Sequence, residues 1–485
     1  MNHKQRNRSS TAAEGNQTSD DQPNLEVVDG GQDDRGALDF AIDPGPEFEH
    51  LTDVGNAARL VDRHGSRLRW VHGPGWMKWN GTVWVVDPLE PHRSQIDTIR
   101  HYRKTEGGLL EPWLKDSEDR SRINAAVELA KPFVPLDVDA LDADPWLLNV
   151  RNGTLDLHSG ELQPHRAENL LTRLADVDYQ PNTSCPTFDA FVDRIFVGDR
   201  DLIGYVQRAL GYSVIGTTSE QKLFVCTGSG SNGKSTLLEL IRDILGTYAR
   251  AIPASSLLHA KGHNPRYELA SLPGVRFVTA VESDVDKRLA EGLVKSITGS
   301  DTISARQIYN APFTFRPQLT LWLATNHLPH IEGTDHAIWR RLKVIPFDVT
   351  IPDDEQDKDL PMKLLAEAPG VLAWLVEGCR AYNTDGLGEP EAVTAAVTSF
   401  RESQDTVGQW ITDRIELGEG AWTSTKELVD SYNQWADANA MDGITGVALG
   451  KKLADHGPTP KKQYGKRGWT GIRVLPLTAR GDASV

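Results

Sequence analysis

Four short, nearly continuous apolar runs follow one another through the middle of the chain, with helix-like stretches between them. They are LFVCT at 223–227, VRFVTAV at 275–281, LTLWLAT at 319–325 and LKVIPF at 342–347. Runs of this length and composition are typical of strands that are covered on both faces. Their alternation with helices predicts a parallel α/β sheet.

The segments before these strands have a different pattern. Residues 1–46 contain hardly any large apolar side chain, which predicts a disordered acidic tail. Residues 47–200 combine helix-like stretches at 57–64 and 94–130 with aromatic and β-branched segments that are divided by Gly-Pro-Gly, Asn-Gly and Ser-Gly turns. We therefore expect a mixed α+β domain with a hairpin within 146–165, leading into a second helical region from Pro186 to Gly211.

Four tryptophans stand close together in this domain, at Trp70, Trp76, Trp79 and Trp84. They could form a platform on which nucleic-acid bases stack. In a small sheet, however, clustered aromatic side chains more often form the core, and this is the interpretation we favour.

Asp137 and Asp139 form a D-x-D pair, an arrangement with which many polymerising enzymes hold two metal ions. The pair lies between Pro135 and Pro145, and no apolar strand precedes it. A turn is therefore the favoured interpretation.

The C-terminal residues 396–485 follow a helical stretch at 359–382 and a linker at 386–390, and they have a pattern of their own. Leu428, Tyr432 and Trp435 recur at helical spacing after a Thr/Ser run that suits a helix N-cap. A second short helix at 446–456 and a hairpin at 461–474, with Gly465 and Gly468 expected at its tip, complete the pattern of a winged helix. Its basic residues are predicted to contact DNA, with a solvated hairpin or a protein-docking surface as the alternatives: Lys461, Lys462, Lys466 and Arg467.

Composition narrows the class of protein. The 485 residues carry a formal charge of −16, which argues against uniform wrapping in nucleic acid but leaves a local basic patch open. The three cysteines are scattered, which excludes a disulfide framework and a cysteine-rich zinc finger and fits a reducing cytoplasm. Neither a membrane-spanning run nor a signal peptide is apparent, so we expect a cytoplasmic protein.

The strongest chemical signal is the stretch GSGSNGKS at 228–235, which matches the phosphate-binding motif G-x-x-x-x-G-K-[ST]. An apolar strand runs into it and a helix-like stretch leaves it, as the motif requires. Backbone N–H groups and the helix N-terminus would face the phosphates, Lys234 would reach the β- and γ-phosphates, and the Ser235 hydroxyl would bind Mg²⁺. The residues expected to bind ATP are Gly228, Ser229, Gly230, Ser231, Asn232, Gly233, Lys234, Ser235 and Thr236.

Polar residues follow the later strands at positions suited to hydrolysis. Glu282 comes directly after the second strand and is the first choice for the catalytic and metal-binding carboxylate, with Asp284 as the second choice. Asn326 follows the third strand and is suited to orienting the attacking water. Arg340 and Arg341 precede the fourth strand and are candidates for an arginine finger. The alternatives are a capping acid, a turn-forming asparagine and a plain surface arginine pair.

This order of motifs resembles superfamily 3 helicases, and more closely the helicase half of phage and plasmid primase-helicases related to the poxvirus primase-helicase. The resemblance is carried by GSGSNGKSTLL, FVTAVESD, the block from LVKSITGSD to LATNHLPHI, and HAIWRRLKVIPF, with LLNVRNGTLDLHSGEL and GWMKWNGTVW resembling the preceding domain. The resemblance implies an AAA+-type ring, usually a hexamer, that moves along single-stranded DNA by hydrolysing ATP. It also implies Arg341 as the preferred finger, with Arg340 close behind.

The resemblance further implies a β-hairpin that grips DNA in the channel of the ring, and residues 302–316 fit it. Its expected tip residues are Arg306, Gln307, Tyr309 and Asn310. Relatives often carry a Lys-His pair there, which this sequence lacks, and many carry two adjacent acids where this chain has Glu282-Ser283-Asp284. The segment before the motor is too short for a primase domain, so we expect a helicase that works with a separate primase or polymerase.

The sequence thus predicts an α/β protein with five segments: a tail (1–46), an N-terminal α+β domain (47–200), an AAA+-type P-loop core (201–350), a helical extension with linker (351–395) and a winged helix (396–485). The expected function is that of an ATP- and Mg²⁺-dependent replicative helicase on single-stranded or forked DNA, encoded by a phage or another mobile element of a bacterial host. The alternatives are an origin-binding or loader-like ATP switch and a P-loop NTPase of another class.

Overall fold

A computed structural model describes residues 50–106, 108–258, 266–281, 288–306, 312–331, 336–439 and 441–475. The predicted tail at 1–46 lies outside these ranges. The remaining predicted segments are all represented, and their elements are given below in chain order.

The N-terminal segment is built from helices and two small sheets. Strands β1 to β4 form one sheet in the order β3-β2-β1-β4, and β5 to β7 form a second in the order β5-β6-β7. The elements are α1 (Asp53–His64), β1 (Leu68–Val71), β2 (Gly75–Trp79), β3 (Trp84–Val86), α2 (Glu90–Glu106), α3 (Glu111–Ser117), α4 (Arg120–Ala130), β4 (Pro135–Leu136), β5 (Leu147–Val150), β6 (Gly153–Asp156) and β7 (Leu162–Gln163). The single helical stretch predicted at 94–130 is therefore three helices.

The tryptophans of this segment serve mainly as core. Trp76 and Trp84 are buried, and the indole Nε1 of Trp84 donates a hydrogen bond to the Ala167 carbonyl at 2.8 Å. Trp70 is half-buried and packs edge-to-face on Trp76, with 5.5 Å between the ring centroids. The core interpretation is thus confirmed for the two buried rings.

The aspartate pair forms a turn, as predicted. The Asp137 carboxylate accepts a hydrogen bond from the backbone N–H of Asp139 at 3.1 Å and caps a short 3₁₀ helix. This local bond is the usual role of an aspartate at a turn.

The central sheet contains the four predicted strands, all parallel, and one that the apolar pattern did not reveal. Its order is β14-β8-β13-β10-β9. The missed strand, β9, lies at the edge of the sheet and carries the exposed Arg250, so it lacks a continuous apolar run. The elements of this part are α5 (Pro186–Ile195), α6 (Arg200–Val214), β8 (Leu223–Thr227), α7 (Lys234–Leu245), β9 (Ala249–Pro253), α8 (Arg266–Leu269), β10 (Phe277–Val281), α9 (Glu291–Ile297), β11 (Ile303–Arg306), β12 (Pro312–Phe315), β13 (Thr320–Thr325), α10 (His336–Trp339) and β14 (Leu342–Pro346).

Three helices follow the sheet: α11 (Leu360–Ala366), α12 (Ala368–Asp385) and α13 (Glu391–Gln404). Helices α11 and α12 pack against the helices α5 and α6 that precede the sheet, and α13 packs against β14. The single helix predicted at 359–382 is broken at Glu367, whose carboxylate accepts hydrogen bonds from the backbone N–H groups of Thr187 and Phe188, each at 3.0 Å. Glu367 therefore caps the first turn of α5 from a position 180 residues away.

The C-terminal segment has its own apolar core and a three-stranded antiparallel sheet in the order β15-β17-β16. Its elements are α14 (Thr406–Arg414), β15 (Ile415–Ser424), α15 (Thr425–Ala438), α16 (Gly446–Leu453), β16 (Thr459–Gln463) and β17 (Lys466–Val474). Ser424 caps α15, and Leu428, Tyr432 and Trp435 are buried, as predicted. Gly465 lies at the tip of the hairpin, as predicted, in the turn Tyr464-Gly465. The prediction for Gly468 was wrong, because pairing already begins at Gln463 and Lys466 and Gly468 lies within β17 opposite Lys461.

None of the helices within the described ranges is both long and apolar enough to cross a membrane. The three cysteines, Cys185, Cys226 and Cys379, are free and buried.

Candidate phosphate-binding site

The predicted phosphate loop connects the carboxyl end of β8 to the first turn of α7. Gly233 caps the helix with a φ of +85°, and a Cβ atom there would lie 2.6 Å from the Cγ2 atom of Ile195. A Cβ atom on Gly228 would lie 2.3 Å from both the Asn232 amide nitrogen and the Phe347 carbonyl oxygen. Glycine is therefore required at both ends of the loop.

Lys234 lies at the centre of this site, and its amine is surrounded by neutral acceptors. The Nζ atom donates hydrogen bonds to the Gly228 carbonyl at 2.8 Å, to Asn232 Oδ1 at 3.1 Å and to Asn326 Oδ1 at 3.1 Å. Three bonds use all three donors of an ammonium group. The lysine is thereby held in one position between the loop and the end of β13.

The electrostatic setting of Lys234 favours an anion. The side chain is buried, and burial lowers the pKa of its amine below the ordinary lysine value. Within the described ranges, no carboxylate forms an ion pair with it. A desolvated cation whose described hydrogen-bond partners are all neutral gains more from an incoming phosphate than an exposed lysine would.

A segment that follows β14 holds the loop from the other side. The Ser231 carbonyl accepts a hydrogen bond from Ile351 N at 2.7 Å, and the Ser229 hydroxyl lies 3.2 Å from the Thr350 hydroxyl. The buried Asn232 amide also donates to the Phe347 carbonyl at 3.2 Å. No local motif marks residues 347–351 as part of the site, so sequence reasoning missed them.

Two further residues of the motif lie in the first turn of α7. Ser235 is exposed and Thr236 is half-buried. An exposed hydroxyl directly after the phosphate-loop lysine fits the Mg²⁺ ligand that the motif implies. Among the residues with described positions, no group of three or more His, Cys, Asp or Glu side chains could hold a metal ion.

The sheet register brings the ends of three strands together beside the loop. Val281, the last residue of β10, pairs with Ala324 of β13, and Ala324 pairs with Cys226 of β8. The predicted carboxylates Glu282 and Asp284 follow Val281 in the sequence but lie outside the described residues. The structure thus joins Lys234 and Asn326 and leaves the positions of the two acids open.

The predicted arginine-finger candidates lie at the amino ends of the strands, whereas the phosphate loop lies at their carboxyl ends. The Leu223 backbone N–H, at the start of β8, donates to the Arg341 carbonyl at 2.8 Å. A strand of this length spans about 13 Å, so neither arginine is next to the loop of its own subunit. Arg341 is buried and donates to the Ala337 carbonyl at 2.8 Å and to Gln221 Oε1 at 3.2 Å, whereas Arg340 is exposed and donates to Gln221 Oε1 at 2.8 Å.

The β-hairpin predicted at 302–316 is represented by a pair of strands. Strands β11 and β12 pair antiparallel, with Arg306 opposite Pro312, and Arg306 is exposed. The other expected tip residues, Gln307, Tyr309 and Asn310, lie outside the described residues.

The basic residues of the C-terminal hairpin are all exposed, and they are Lys461, Lys462, Lys466 and Arg467. Tyr464, at the tip between them, was not predicted as a functional residue. The available signal was an aromatic residue directly before a turn glycine within a basic segment.

Two segments of the chain match known protein families. Residues 57–197 match the family described as D5 N terminal like, and residues 226–341 match a family described as of unknown function, DUF5906. The first match covers most of the N-terminal segment, and the second begins in β8 and ends at Arg341.

Curated viral proteins resemble the chain at low identity. A protein of Acanthamoeba polyphaga mimivirus, provisionally named a helicase, is 28% identical over 62% of this chain and 34% of its own length. A protein of frog virus 3, also provisionally named a helicase, is 24% identical over 66% of this chain and 42% of its own length. A protein of African swine fever virus, provisionally named a primase, is 23% identical over 62% of this chain and 34% of its own length. The chain therefore spans well under half of the length of each of these relatives.

A solved structure shares the fold. The apo structure of the NrS-1 C-terminal region matches with a TM-score of 0.52 at 13% identity, and the alignment covers 88% of this chain and 100% of that one. One segment of the chain thus resembles the D5 N terminal like family and the next resembles DUF5906, and the predicted resemblance to primase-helicases is confirmed.

Proposed function

We propose that this protein is an ATP-dependent DNA helicase of a phage or other mobile element, active in the cytoplasm of a bacterial host. The observation that carries the proposal is the position of Lys234, which is buried, surrounded by neutral acceptors and bonded to Asn326. The names of the viral relatives, helicase and primase, support a role in DNA replication.

The sheet topology supports a nucleotide site at this point. After β8 the chain crosses to the far edge at β9, and after β13 it crosses in the opposite direction to β14. Ligands of open α/β sheets bind in the crevice between two such strands, outside their carboxyl ends. Lys234 and Asn326 lie at this crevice, which suits an AAA+-type P-loop ATPase core.

The proposed roles follow from this position. Lys234 and the loop N–H groups bind the β- and γ-phosphates of ATP, and Asn326 orients the attacking water. Mg²⁺, held by the Ser235 hydroxyl and by Glu282, would neutralise charge on the phosphates. An arginine at the amino ends of the strands can act only on the nucleotide of a neighbouring subunit. This suits a ring, and the family resemblance implies that the ring is a hexamer.

The remaining elements suit DNA. The hairpin of β11 and β12 would grip single-stranded DNA in the channel, and the C-terminal segment has the element order of a winged helix with an exposed basic wing. A separate primase or polymerase would act with the helicase.

Two substitutions test the proposal on the full chain. Lys234→Ala should abolish DNA-stimulated ATP hydrolysis and unwinding, because it removes the cation that binds the phosphates. Glu282→Gln should abolish both while ATP still binds. Lys363→Ala, which removes an exposed lysine paired with Asp357, is the matched control and should leave hydrolysis unchanged.

The outcomes separate the alternatives. If wild-type protein binds ATP but neither hydrolyses it nor unwinds forked DNA, the protein is a nucleotide-dependent switch such as an origin-binding or loader protein. If it hydrolyses ATP without any response to DNA, it is a P-loop NTPase of another class. Unwinding that survives Lys234→Ala contradicts the proposal.

A further inference from the structure

The hairpin formed by β16 and β17, here called the wing hairpin, ends in an aromatic side chain that faces solvent. Tyr464 is 92% exposed and is the first residue of a two-residue turn, with φ of +50°, followed by Gly465 with φ of +75°. Such turns favour asparagine, aspartate or glycine at the first position because a bulky residue is disfavoured at positive φ. The protein therefore keeps a large ring at a position where local backbone preference opposes it.

A second aromatic residue supports this ring from below. The Trp422 and Tyr464 ring centroids are 6.3 Å apart, in an edge-to-face arrangement. Trp422 is fixed by a hydrogen bond from its indole Nε1 to the Lys461 carbonyl at 3.0 Å. It lies over Gly468, where a Cβ atom would come within 2.4 Å of the indole ring. Tyr464 thus contacts Trp422 on one side, and the rest of its ring remains exposed and available for stacking.

The wing hairpin carries cations on both faces. Lys462 lies opposite Arg467 in the register, and Lys461 and Lys466 belong to the alternate positions, so each face presents two positive charges. All four are exposed, and none forms an ion pair with a carboxylate of the described residues. Arg473 on the same strand differs, because it pairs with Glu416 at 3.6 Å.

A groove lies between the wing hairpin and α16. Its volume is about 710 Å³, and the charged and large apolar residues of its lining are Val447, Lys451, Lys461, Lys462, Arg467 and Trp469, so Lys461 reaches it as well as the cations of the other face. An apolar floor with cations at the rim suits the bases and phosphates of a single strand.

We propose that the wing hairpin acts as a wedge at the junction between double-stranded and single-stranded DNA. Tyr464 stacks on the last base pair, and the two separated strands leave along the two faces of the hairpin. This assignment rests on the proposed helicase function and names the DNA structure that it recognises. A single strand would need cations on one face only, and an intact duplex offers no exposed base pair on which the tip could stack without unstacking its bases.

Affinity measurements on the full chain without nucleotide test the wedge. The DNA molecules are a labelled fork, a relaxed circular duplex without ends, and a single strand of matched sequence. Tyr464→Asn creates Asn-Gly, the favoured pair for this turn, so the hairpin is expected to fold. Tyr464→Phe retains the ring, and Arg473→Ala removes a cation that is already paired.

Tyr464→Asn should weaken fork binding about 5- to 100-fold, the range for loss of one stacked base. Its affinity for the circular duplex, which exposes no base-pair face, should change less than about twofold, and its affinity for the single strand should fall less than its affinity for the fork. Tyr464→Phe and Arg473→Ala should bind the fork like wild type. Unchanged fork binding by Tyr464→Asn overturns the wedge, and an equal loss on all three DNA molecules overturns its specificity for a junction.

A crosslinking experiment gives an independent readout. 5-Iodouracil at the junction base pair should crosslink to Tyr464, and crosslinks confined to other residues would contradict the assignment. Charge reversal of Lys461 with Lys466 should remove the crosslinks of one arm, and reversal of Lys462 with Arg467 those of the other. Each double variant should reduce the slope of log affinity against log salt concentration by about 1.4 units. Loss of crosslinks to the same arm in both variants would count against two separate paths.

The readouts keep the two hypotheses distinguishable. DNA binding without nucleotide does not depend on ATP turnover. If the wild-type protein did not hydrolyse ATP, the helicase proposal would be rejected, and the fork-binding measurement would still test the wedge. Normal DNA-stimulated hydrolysis with unchanged fork binding by Tyr464→Asn would reject the wedge alone.

Discussion

The Nζ atom of Lys234 donates a hydrogen bond to the Oδ1 atom of Asn326 at 3.1 Å, although the two residues are 92 positions apart in the sequence. Lys234 follows β8 and Asn326 follows β13, and these strands are parallel neighbours. The carboxyl ends of parallel neighbours meet at one edge of a sheet. The register therefore determines that the lysine of the phosphate loop and this asparagine share one site.

Asn326→Ala should lower the turnover number for ATP hydrolysis about 10- to 100-fold, because both Lys234 and the attacking water lose a positioning group. The Michaelis constant for ATP should change little, since the loop itself remains intact. Steady-state kinetics with saturating DNA measure both constants. An unchanged turnover number would exclude Asn326 from the reaction.

Asn326→Asp tests the same position with a negative charge in place of the neutral amide. The new carboxylate would form an ion pair with Lys234, which should raise the melting temperature without nucleotide and weaken ATP binding. Calorimetry measures ATP affinity, and thermal unfolding measures stability. Tighter ATP binding by this variant would show that Lys234 does not bind the phosphates.

Two loop glycines are expected to differ in how they tolerate alanine. At Gly230, with φ of +102°, no atom lies within 4 Å of an added Cβ, so Gly230→Ala carries only the left-handed backbone cost of about 1–2 kcal/mol. Gly233→Ala adds a clash with Ile195 to the same backbone cost, and overpacking costs a further 1–3 kcal/mol, roughly. Urea unfolding should therefore rank Gly233→Ala as the less stable variant. Equal stability would mean that the N-terminus of α7 moves to relieve the clash.

The resemblance implies Arg341 as the preferred arginine finger, but the burial of Arg341 and the exposure of Arg340 favour Arg340 instead. Arg341 is buried and bonded to Ala337 and Gln221, so Arg341→Ala should mainly lower stability. Arg340 is exposed, so Arg340→Ala should fold normally and lower ATP turnover by wild-type neighbours in mixed rings. Titration of each variant into wild-type protein, with turnover measured at every ratio, separates the roles. A linear loss with Arg340→Ala, as expected from dilution alone, would contradict its action across subunits.

The pair of Lys343 and Glu389 should make stability depend on pH. Lys343 is buried on β14, and its hydrogen bond to Glu389 holds the pKa of that carboxyl below its ordinary value of 4.5. A lowered pKa means that the stabilisation is present above about pH 4.5 and is lost as the pH falls through the lower folded-state value. Glu389 is itself more than half exposed, so solvent screens the interaction, and Glu389→Gln should destabilise the protein by less than about 1 kcal/mol at neutral pH and have little effect in acid.

Glu355→Gln is the matched control for this pair. Glu355 binds Arg194, but both side chains are about half exposed, so water competes with the interaction. Its removal should cost close to zero, as for most exposed ion pairs. Urea unfolding at pH 7 and at pH 2, below the folded-state pKa, would show the difference, and an equal effect of both variants would contradict a special contribution from the buried lysine.

Local patterns were sufficient for the elements that depend on near neighbours. The apolar runs identified four strands of the central sheet, and the glycine-rich motif identified the turn from β8 into α7. Local patterns did not predict the break between α11 and α12. The break lies at Glu367, whose carboxylate accepts hydrogen bonds from the distant Thr187 and Phe188 at the start of α5. The edge strand β9 was missed because an edge position does not require a continuous apolar run.

The sequence by itself determined the chemistry that is available, since a phosphate loop requires glycines, Lys234 and a hydroxyl at fixed spacing. Only the tertiary structure decided which distant residues meet there, because strand order and register set those distances: Asn326 joins the lysine, and residues 347–351 hold the loop. It also decided which charges are already paired. Arg341 and Arg473 are engaged by neighbours, whereas the cations beside Tyr464 face solvent, and burial and pairing depend on contacts that sequence spacing does not specify.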